Sequence, residues 1–324
     1  MKIFVAGGNG FIGSVVVRML LERGYQVRCL LRSTSNTTRL ATLDYERVEG
    51  DVRDPAIMLA GMDGCQAIIH LACPSGWDHI DSPETQAVAI GGTRAVLDAA
   101  RKLGNFRVVF VSSITAVGAT DTPRILDETA SYNLLSVKEL TYSHGKHRAE
   151  MLCLQAVRTG LEVVIVNPAE VYGPNDIALV TAGNLVDFAT SNPVLVCHGG
   201  TSIAYGEDVA LGIVHALEKG RSGERYILGG PNLTLSELAR LSLNILAKKA
   251  RIVVLPNSLI RALTWGAKTM HIPLPYNPKV IPYATRYWFV DSRKAQRELD
   301  VRFRSARDTL APTLAWLQQA GYIS

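Results

Sequence analysis

The sequence predicts an α/β protein with a doubly wound parallel sheet and a smaller C-terminal lobe. Two observations carry this prediction. Short apolar runs alternate with amphipathic stretches through the first half of the chain, which is typical of parallel strands joined by helical crossovers. A glycine-rich turn also joins the first apolar run to the first amphipathic stretch. Sheets of this kind bind ligands at the carboxyl ends of their strands, so the segments that follow the strands form the candidate site.

The elements of the first half follow from their apolar patterns. Residues 2–6 are a short apolar run and predict a buried strand. In residues 11–23 the apolar side chains share one helical face, and Gly24 ends the stretch. Residues 84–103 predict a long helix that ends at Gly104. The other predicted elements of this half are strands at 26–31, 47–49, 67–71, 107–112 and 162–166 and a helix at 142–158.

The pattern becomes less regular after Pro168. The predicted elements are helices at 184–191, 208–217, 234–246, 256–270 and 308–319 and a strand at 225–228. Four prolines between positions 273 and 282 mark an irregular segment. We therefore expect a first domain of residues 1–168, to which the chain returns around 204–228. The second lobe is expected to comprise residues 169–203 and 229–324.

The composition excludes several classes of function. With 48% hydrophobic and 19% charged residues the chain resembles an ordinary globular protein, and its longest apolar stretches are too short to cross a bilayer. The net charge of +5 is mild and spread out, which argues against a nucleic-acid partner. The first strand runs directly into the glycine turn and leaves no room for a cleaved signal, so a cytoplasmic location is expected. No membrane partner is expected, and a homodimer is compatible with the chain.

The cysteines and histidines do not predict a metal site. The five cysteines are scattered and form no Cys-x-x-Cys pair, which suits reduced intracellular thiols. No histidine pairs with a cysteine at ligand spacing. His144 and His147 lie three apart on a predicted helix, where a solvated or packed role is favoured over a metal site.

The glycine-rich turn predicts a dinucleotide site. Gly7 allows the tight turn, Gly10 lets the backbone approach a pyrophosphate, and Gly13 permits close packing of the helix on the sheet. The free N–H groups at the helix N-terminus would then face the phosphates. The alternative is an ordinary glycine turn. The other candidate cofactor-binding residues of this loop are Asn9, Phe11 and Ile12.

The end of the second strand favours NADPH as the cofactor, with NAD as the alternative. NAD binders often place an acid there to hold the ribose hydroxyls, whereas this strand is followed by Arg32 and no acid. The Arg32 guanidinium could grip a 2′-phosphate and stack on adenine, although it could also be a plain surface arginine. Asp51 follows the third strand, next to Val52, and could accept a hydrogen bond from the adenine amino group. The alternative for Asp51 is a turn aspartate.

A tyrosine four residues before a lysine predicts proton transfer. A free tyrosine has a pKa near about 10, and a lysine ammonium one helical turn away would favour the phenolate and lower that pKa. Tyr142 could therefore protonate an oxygen as hydride reaches the adjacent carbon, or the reverse. Lys146 could also hold the nicotinamide ribose. Ser112 and Ser113, at the end of the fifth strand, supply a hydroxyl that could orient the oxygen.

Together these residues resemble the extended short-chain dehydrogenase/reductase family, and the likeness covers nearly the whole chain. The matching segments are the glycine loop, residues 50–54, 70–72, 112–113, 142–146 and 167–174. Within the family the chain looks most like the dihydroflavonol 4-reductase-like branch, which includes bacterial hopanoid-associated proteins named as epimerases. Residues 49–55 and 223–234 carry this closer likeness.

The resemblance implies a Rossmann fold and assigns further roles. Ser113, five residues before Gly118, matches the serine that orients the substrate, and Arg32 matches the arginine that reads the NADP phosphate. The backbone from Pro168 to Val171 would meet the nicotinamide carboxamide. Further cofactor contacts are implied for Leu71, Ala72 and Cys73.

The substrate pocket is expected between the loop of residues 74–77 and the second lobe. The candidate substrate residues, besides Ser113, are Ser75, Trp77 and Tyr172. Trp77 could stack on a ring of the substrate or cap the core. The chain departs from the family at Ala89, where members commonly have an asparagine of the proton relay. It also lacks an Arg-Asp-Phe-type run at 201–204, which weakens a nucleotide-sugar assignment.

These observations predict an NADPH-dependent reductase of a carbonyl, or the reverse alcohol dehydrogenase, acting on a medium-sized, partly apolar small molecule. Tyr142 would be the acid and base, Lys146 would tune it and Ser113 would orient the oxygen. The first alternative is a sugar epimerase or dehydratase that retains NAD and uses the same triad. The second is a redox sensor that binds the dinucleotide without catalysis, although such proteins tend to lose the tyrosine or the lysine.

Overall fold

A computed structural model describes residues 1–104, 106–271, 273–274 and 276–324. Pro275 of the proline-rich segment therefore lies outside the described residues. The first half contains the strands β1 (Lys2–Ala6), β2 (Gln26–Leu31), β3 (Glu46–Glu49), β4 (Ala67–His70), β5 (Arg107–Val111) and β6 (Glu162–Pro168). Its helices are α1 (Phe11–Glu22), α2 (Pro55–Met62), α3 (Pro83–Gln86), α4 (Thr93–Leu103) and α5 (Thr141–Arg158), with a π-helical turn at Ala87–Gly92.

The central sheet has seven strands, all paired in parallel. Their order is β10, β6, β5, β4, β1, β2, β3, where β10 (Arg225–Leu228) comes from the second half of the chain. The direction of the strand order reverses between β1 and β4, which pair from Ile3 with Ala67 to Ala6 with His70. A crevice outside the carboxyl ends of the strands is expected at such a reversal, and the glycine loop follows β1 there.

Both faces of the sheet are buried, because side chains alternate along each strand. In β1, Ile3 and Val5 belong to the core that lies against α1 and α7 (Gly206–Lys219). Phe4 and Ala6 point the other way, into the core formed with α2, α4 and α5. This two-sided burial gives the doubly wound α/β fold that the alternating pattern predicts.

Two elements of the first domain differ from the prediction. Helix α2 was not expected, since it is apolar without a single apolar face; its signal is Asp54, whose side chain accepts from Ala56 N and Ile57 N, followed by Pro55 at the first helical position. The predicted helix 84–103 is interrupted by the π-helical turn. There Gly92 lies against Val52, and a Cβ added to Gly92 would lie 2.8 Å from Val52 Cγ1.

The second half builds a smaller sheet and surrounding helices. The strands are β7 (Glu170–Tyr172), β8 (Val194–Cys197), β9 (Gly200–Tyr205), β11 (Asn232–Thr234), β12 (Ile252–Leu255) and β13 (Tyr287–Trp288). The helices are α6 (Gly183–Thr190), α8 (Leu235–Ile245), α9 (Asn257–Met270), α10 (Ile281–Ala284), α11 (Arg293–Glu298) and α12 (Ala306–Gln319). Strand β9 pairs with β7, β11 and β13, while β8 pairs with β12. In the described part of the chain, no helix is long and apolar enough to cross a membrane.

Candidate active site at the carboxyl ends of the strands

The glycine loop is packed so closely that side chains are excluded. Gly10 N donates to Gly7 O at 3.2 Å and closes the turn. Gly7 has a φ of +90°, and a Cβ added to it would lie 2.7 Å from Ala72 N. A Cβ added to Gly13 would overlap the Gly7 carbonyl oxygen. The loop therefore presses the end of β1 against the end of β4, where Leu71 N donates to Ala6 O at 2.8 Å.

The N-terminus of α1 can hold a phosphate group. Its N-cap, Gly10, offers no side-chain acceptor, and the first turn contains no acid. The first backbone N–H groups can therefore donate to an anion, and the helix dipole favours one there. Phe11 and Ile12 are half-buried at this end, and Phe11 lies against Gly173. Asn9 donates through Nδ2 to Asn36 O at 3.3 Å, which fixes the outer side of the loop.

Two arginines follow β2 beside this loop. Arg32 is exposed and held in a turn, because its N donates to Ser35 Oγ at 3.0 Å and its O accepts from Ser35 N at 3.0 Å. Arg39 was not predicted, since it lies seven residues past Arg32 in a 3-10 turn at Thr38–Leu40 that is too short to show a sequence pattern. It donates to Asn9 O at 3.4 Å through Nη1 and to Asn175 O at 2.6 Å through Nη2. The arginines leave a cationic rim beside the glycine loop.

Asp51 is held by its neighbour Arg53. Its carboxylate accepts from Arg53 N at 2.8 Å, from Nε at 2.9 Å and from Nη2 at 2.6 Å. The bond to the Arg53 side chain is the main reason that the pKa of Asp51 is lowered. Val52 is buried under the π-helical turn. The contact of Asp51 with adenine stays a prediction, and both carboxylate oxygens already accept hydrogen bonds from Arg53.

Tyr142, Lys146 and Ser113 come together where α5 meets the end of β5. Tyr142 lies in the first turn of α5, near the Ser113 side chain, which acts to lower the pKa of Tyr142. Lys146 is buried one turn later, with its Nζ 5.9 Å from the centre of the Tyr142 ring. The same Nζ donates to Val111 O at 2.9 Å, which ties α5 to β5. Ser113 Oγ also accepts from Thr115 N at 3.2 Å, which fixes its rotamer.

The pKa of Tyr142 is raised in the structure. The four-residue spacing of Tyr142 and Lys146 predicts the opposite, a pKa lowered by the lysine ammonium. Burial is the main cause of the raised pKa, and the nearby Cys73 and Tyr283 add to it, while the Ser113 side chain acts in the opposite direction. Lys146 does not reverse the effect, because its ammonium is directed to Val111 O. A tyrosine with a raised pKa keeps its proton at neutral pH, so this arrangement suits a general acid.

The end of β4 adds a buried histidine. Burial, reinforced by the charge of Lys146, lowers the pKa of His70 to about 3. Its Nε2 lies 3.2 Å from Thr93 Oγ1, which donates to Ala89 O at 2.6 Å in the π-helical turn. Ala89 is buried, and its carbonyl oxygen accepts from Thr93 Oγ1. This is the position at which members of the resembling family commonly have an asparagine. Cys73, three residues after His70, lies near Tyr142.

The end of β6 brings the Pro168–Val171 segment beside the triad. Asn167, just before Pro168, donates to Ser113 O at 2.8 Å. Val171 is buried, and its carbonyl accepts from Thr181 Oγ1 at 2.5 Å. The segment is thus fixed at the sheet end, and its contact with the nicotinamide stays a prediction.

Two predicted substrate residues are not free to move in the structure. Tyr172 has no exposed surface; its hydroxyl donates to Glu170 Oε1 at 2.7 Å and accepts from Asn184 Nδ2 at 2.7 Å. Because β7 turns this side chain inward, Tyr172 is a core residue, which corrects its assignment to the substrate. Trp77 donates through Nε1 to Val180 O at 2.8 Å, so one end of the ring is fixed to the second lobe. Ser75 is exposed on the same loop.

Tyr283 is a site residue that the sequence did not reveal. It lies in α10, with its ring 5.5 Å from Trp77 in an edge contact and 5.8 Å from Trp288 in a stacked one. Tyr142 packs against the same apolar cluster that contains Tyr283. No local pattern indicates this, because it comes some 140 residues after Tyr142 in the irregular proline-rich segment. Together the three rings form an aromatic wall beside the triad.

Known proteins resemble this chain over its full length. The family model described as "NAD dependent epimerase/dehydratase family" matches residues 3–229. A protein from Synechocystis sp. that is named as a dihydroflavonol 4-reductase is 33% identical over 99% of this chain and 95% of its own length. The 4-hydroxy-2-methyl-3-oxo-4-farnesyl-3,4-dihydroquinoline-1-oxide ketoreductase of Stigmatella aurantiaca is 30% identical over 99% of this chain and 97% of its own.

A solved structure gives the same fold. The crystal structure of PA4631, a nucleoside-diphosphate-sugar epimerase from Pseudomonas aeruginosa, superposes with a TM-score of 0.82 at 25% identity, covering 100% of this chain and 99% of that one. The similar proteins thus include proteins named as reductases and one named as an epimerase.

Proposed function

Because the chain belongs to the NAD dependent epimerase/dehydratase family, we propose that it reduces a carbonyl of a medium-sized, partly apolar molecule with NADPH. The family and the reductase-named relatives make the chain an NAD(P)-dependent oxidoreductase of the extended short-chain dehydrogenase/reductase type. One observation carries the proposal. Tyr142, whose pKa is raised, lies near Ser113 and Lys146 beside a glycine loop that fits a dinucleotide. A proton donor and a carbonyl-orienting hydroxyl thus stand next to the expected hydride source.

In this proposal each residue has one task. Bound NADPH supplies a hydride to the carbonyl carbon. Ser113 Oγ donates to the carbonyl oxygen and orients it, and Tyr142 delivers its proton to that oxygen as the alcohol forms. Lys146, held by Val111 O, places a fixed positive charge 5.9 Å from the Tyr142 ring and stabilises the phenolate that remains. The Tyr142 phenolate is then reprotonated from solvent.

The preference for NADPH rests on the rim beside the glycine loop. Arg32 and Arg39 provide two guanidinium groups near the loop, and the end of β2 has no acid that would hold the ribose hydroxyls of NAD. An arginine fork fits the oxygens of a 2′-phosphate. Arg39, already bound to Asn9 O and Asn175 O, would fix the rim, while the exposed Arg32 would contact the phosphate.

The substrate class follows from the aromatic wall and from the relatives. Half-buried Trp77 contacts the buried Tyr283 edge-on, and Trp288 stacks behind Tyr283, so the apolar lining near Tyr142 favours a flat or apolar ketone. Two relatives are named for reducing dihydroflavonols and a farnesylated dihydroquinoline oxide, both of which combine rings with a carbonyl. A free aryl or alicyclic ketone is therefore the proposed class.

A second candidate is an epimerase or dehydratase that keeps its cofactor and returns the hydride. The family model and the likeness to the nucleoside-diphosphate-sugar epimerase favour it. It would use the same Tyr142, Lys146 and Ser113. The missing Arg-Asp-Phe-type run at 201–204 and the aromatic wall argue for the reductase instead.

The deciding experiment measures the fate of the nicotinamide. Purified protein should be largely free of cofactor and should oxidise NADPH in a 1:1 ratio with the alcohol formed from an aryl or alicyclic ketone. NADH should be oxidised much more slowly at equal concentration. Protein that retains NAD through dialysis, and that oxidises no NADPH across a broad panel of carbonyls, would favour the epimerase.

A further inference from the structure

A buried carboxylate lies directly behind the triad. Glu150 has no exposed surface and sits on α5 four residues after Lys146 and eight after Tyr142, so all three share one helical face. Its two oxygens have different partners. Oε1 accepts from Asn167 Nδ2 at 2.6 Å, and Oε2 lies 3.4 Å from Arg225 Nη1. A group buried this completely is costly unless its partners are fixed.

Asn167 connects this carboxylate with Ser113. The asparagine is fully buried at the end of β6, and its Nδ2 donates both to Glu150 Oε1 and to Ser113 O at 2.8 Å. Its Oδ1 has no hydrogen-bond partner among the described residues. The carboxylate, which only accepts, thus determines which side of the amide faces Ser113.

Arg225 is the partner of the second carboxylate oxygen of Glu150. Its guanidinium, on β10, is mostly buried and also donates through Nη2 to Glu128 O at 2.5 Å and to Ala130 O at 3.1 Å. Arg225 therefore requires an acceptor at Oε2 of Glu150. Buried ion pairs of this kind add little net stability, because desolvation offsets the attraction. A positional requirement explains the arrangement better than a stability requirement.

We propose that Glu150 is a positioning residue, which acts through Asn167 to set the backbone of Ser113 and hence the hydroxyl that orients the carbonyl. The inference rests on the proposed carbonyl reduction. It concerns a residue that touches neither substrate nor cofactor.

The informative change is Glu150→Gln, which keeps the shape. Because Arg225 needs an acceptor, the new amide must turn its oxygen to Arg225 and its Nε2 to Asn167. Asn167 then has to present Oδ1, which removes the donor from Ser113 O and sets two oxygens against each other. Ser113 should shift, and kcat should fall roughly 10- to 100-fold, as misplacements of this size do. The dissociation constant for NADPH should stay unchanged, since the glycine loop is not involved.

The matched control is Glu162→Gln on β6, the strand that carries Asn167. The Glu162 carboxylate pairs with Arg107 at the surface, so this variant should keep the wild-type kcat. A double-mutant cycle with Ser113→Ala separates positioning from general damage. In the Ser113→Ala background, Glu150→Gln should reduce kcat by less than about twofold, because the group it positions is gone. Full multiplication of the two effects would overturn the proposal, as would a Glu150→Gln enzyme that behaves like the control.

A crystal structure of Glu150→Gln tests the inference without turnover. The Asn167 amide should be turned and Ser113 displaced; an unchanged Ser113 overturns the positioning role even if the wild type reduces no carbonyl. If Glu150→Gln does not fold, Glu150→Asp replaces it, since this variant keeps the charge for Arg225 and loses reach to Asn167. The same drop in kcat is expected there. A wild type that oxidises no NADPH would refute the proposed function alone.

Discussion

At the scale of single residues, the state of Tyr142 decides the direction of the chemistry. Burial keeps the hydroxyl protonated, and the Ser113 side chain lies near it. A site in which the tyrosine holds its proton at rest is prepared to donate to a carbonyl oxygen. The reverse oxidation would need Lys146 to offset the burial in the complex with cofactor.

Replacing Tyr142 with phenylalanine keeps the ring and removes the proton donor. Turnover should fall roughly 10²- to 10⁴-fold, the usual contribution of general acid catalysis, while NADPH affinity measured by calorimetry should barely change. Tyr322→Phe, at a half-buried tyrosine packed against Trp316, serves as the control and should keep wild-type turnover. A Tyr142→Phe enzyme with more than about a tenth of wild-type turnover would show that Tyr142 is not the acid.

Replacing Arg32 with aspartate tests the cofactor. The change removes a charge-assisted contact worth about 2–3 kcal/mol and adds repulsion toward a 2′-phosphate. Calorimetry should therefore show a large loss of NADPH affinity and a small change for NADH. Arg307→Asp, at another exposed arginine, should affect neither cofactor. Equal losses for both cofactors in Arg32→Asp would contradict the assignment.

Site residues that act together with neighbours close in the chain could be predicted from the sequence. The three loop glycines and the Tyr-x-x-x-Lys pair lie within one element or turn, so local pattern reveals them. Arg39, Tyr283 and the Glu150 contacts depend on loops and strands that are distant in the chain, so no local pattern could place them. The burial of Tyr172 was missed because it depends on which face of β7 packs into the apolar core formed with α6, α8 and α12.

At the scale of elements, the glycine loop shows how a turn can require the absence of a side chain. Gly13→Ala would put a methyl group on the Gly7 carbonyl oxygen and force α1 away from the sheet. We expect NADPH binding to be lost and the melting temperature to fall. Gly266→Ala is the matched control, because nothing lies within 4 Å of that position in α9. Alanine also favours helix by up to about 1 kcal/mol over glycine, so the control should be neutral or stabilised.

Element boundaries were predictable where a cap or a repeated pattern marks them. The predicted bounds of the strands of the central sheet differ from the observed bounds by no more than about two residues. The helix 84–103 was predicted as continuous, since periodicity does not register a π-helical turn. The short strands β7, β11 and β13 depend on pairing with β9, and β8 and β12 depend on each other, so the sequence of this part of the chain offered little to identify them.

At the scale of the whole molecule, buried His70 should make stability fall in acid. The folded protein keeps it neutral down to a pKa of about 3, whereas an unfolded histidine takes up a proton below 6.5. Acidification therefore favours the unfolded state. Between about pH 8 and pH 5 this one group should remove about 2 kcal/mol from the free energy of unfolding.

Urea unfolding of the wild type and of His70→Gln at these two pH values measures the effect. The glutamine can keep a donor for Thr93 and does not titrate. Between the two pH values the free energy of unfolding of His70→Gln should therefore fall by about 2 kcal/mol less than that of the wild type. Other buried groups titrate in both proteins and cancel in the difference. The exposed His198→Gln should follow the wild type, and a His70→Gln curve parallel to the wild type would contradict the assignment.

The place of β10 in the central sheet has a consequence for how the protein is made. When a ribosome has produced residues 1–168, six strands exist, but β6 still has an open edge that β10 will cover about 60 residues later. The side of α1 that packs against α7 is exposed for the same interval. An unpaired parallel edge beside a bare apolar face favours association with other nascent chains. A chaperone that holds the chain until residue 228 has emerged would prevent this, so the yield of folded enzyme should depend on the speed of translation through the β7–β9 segment.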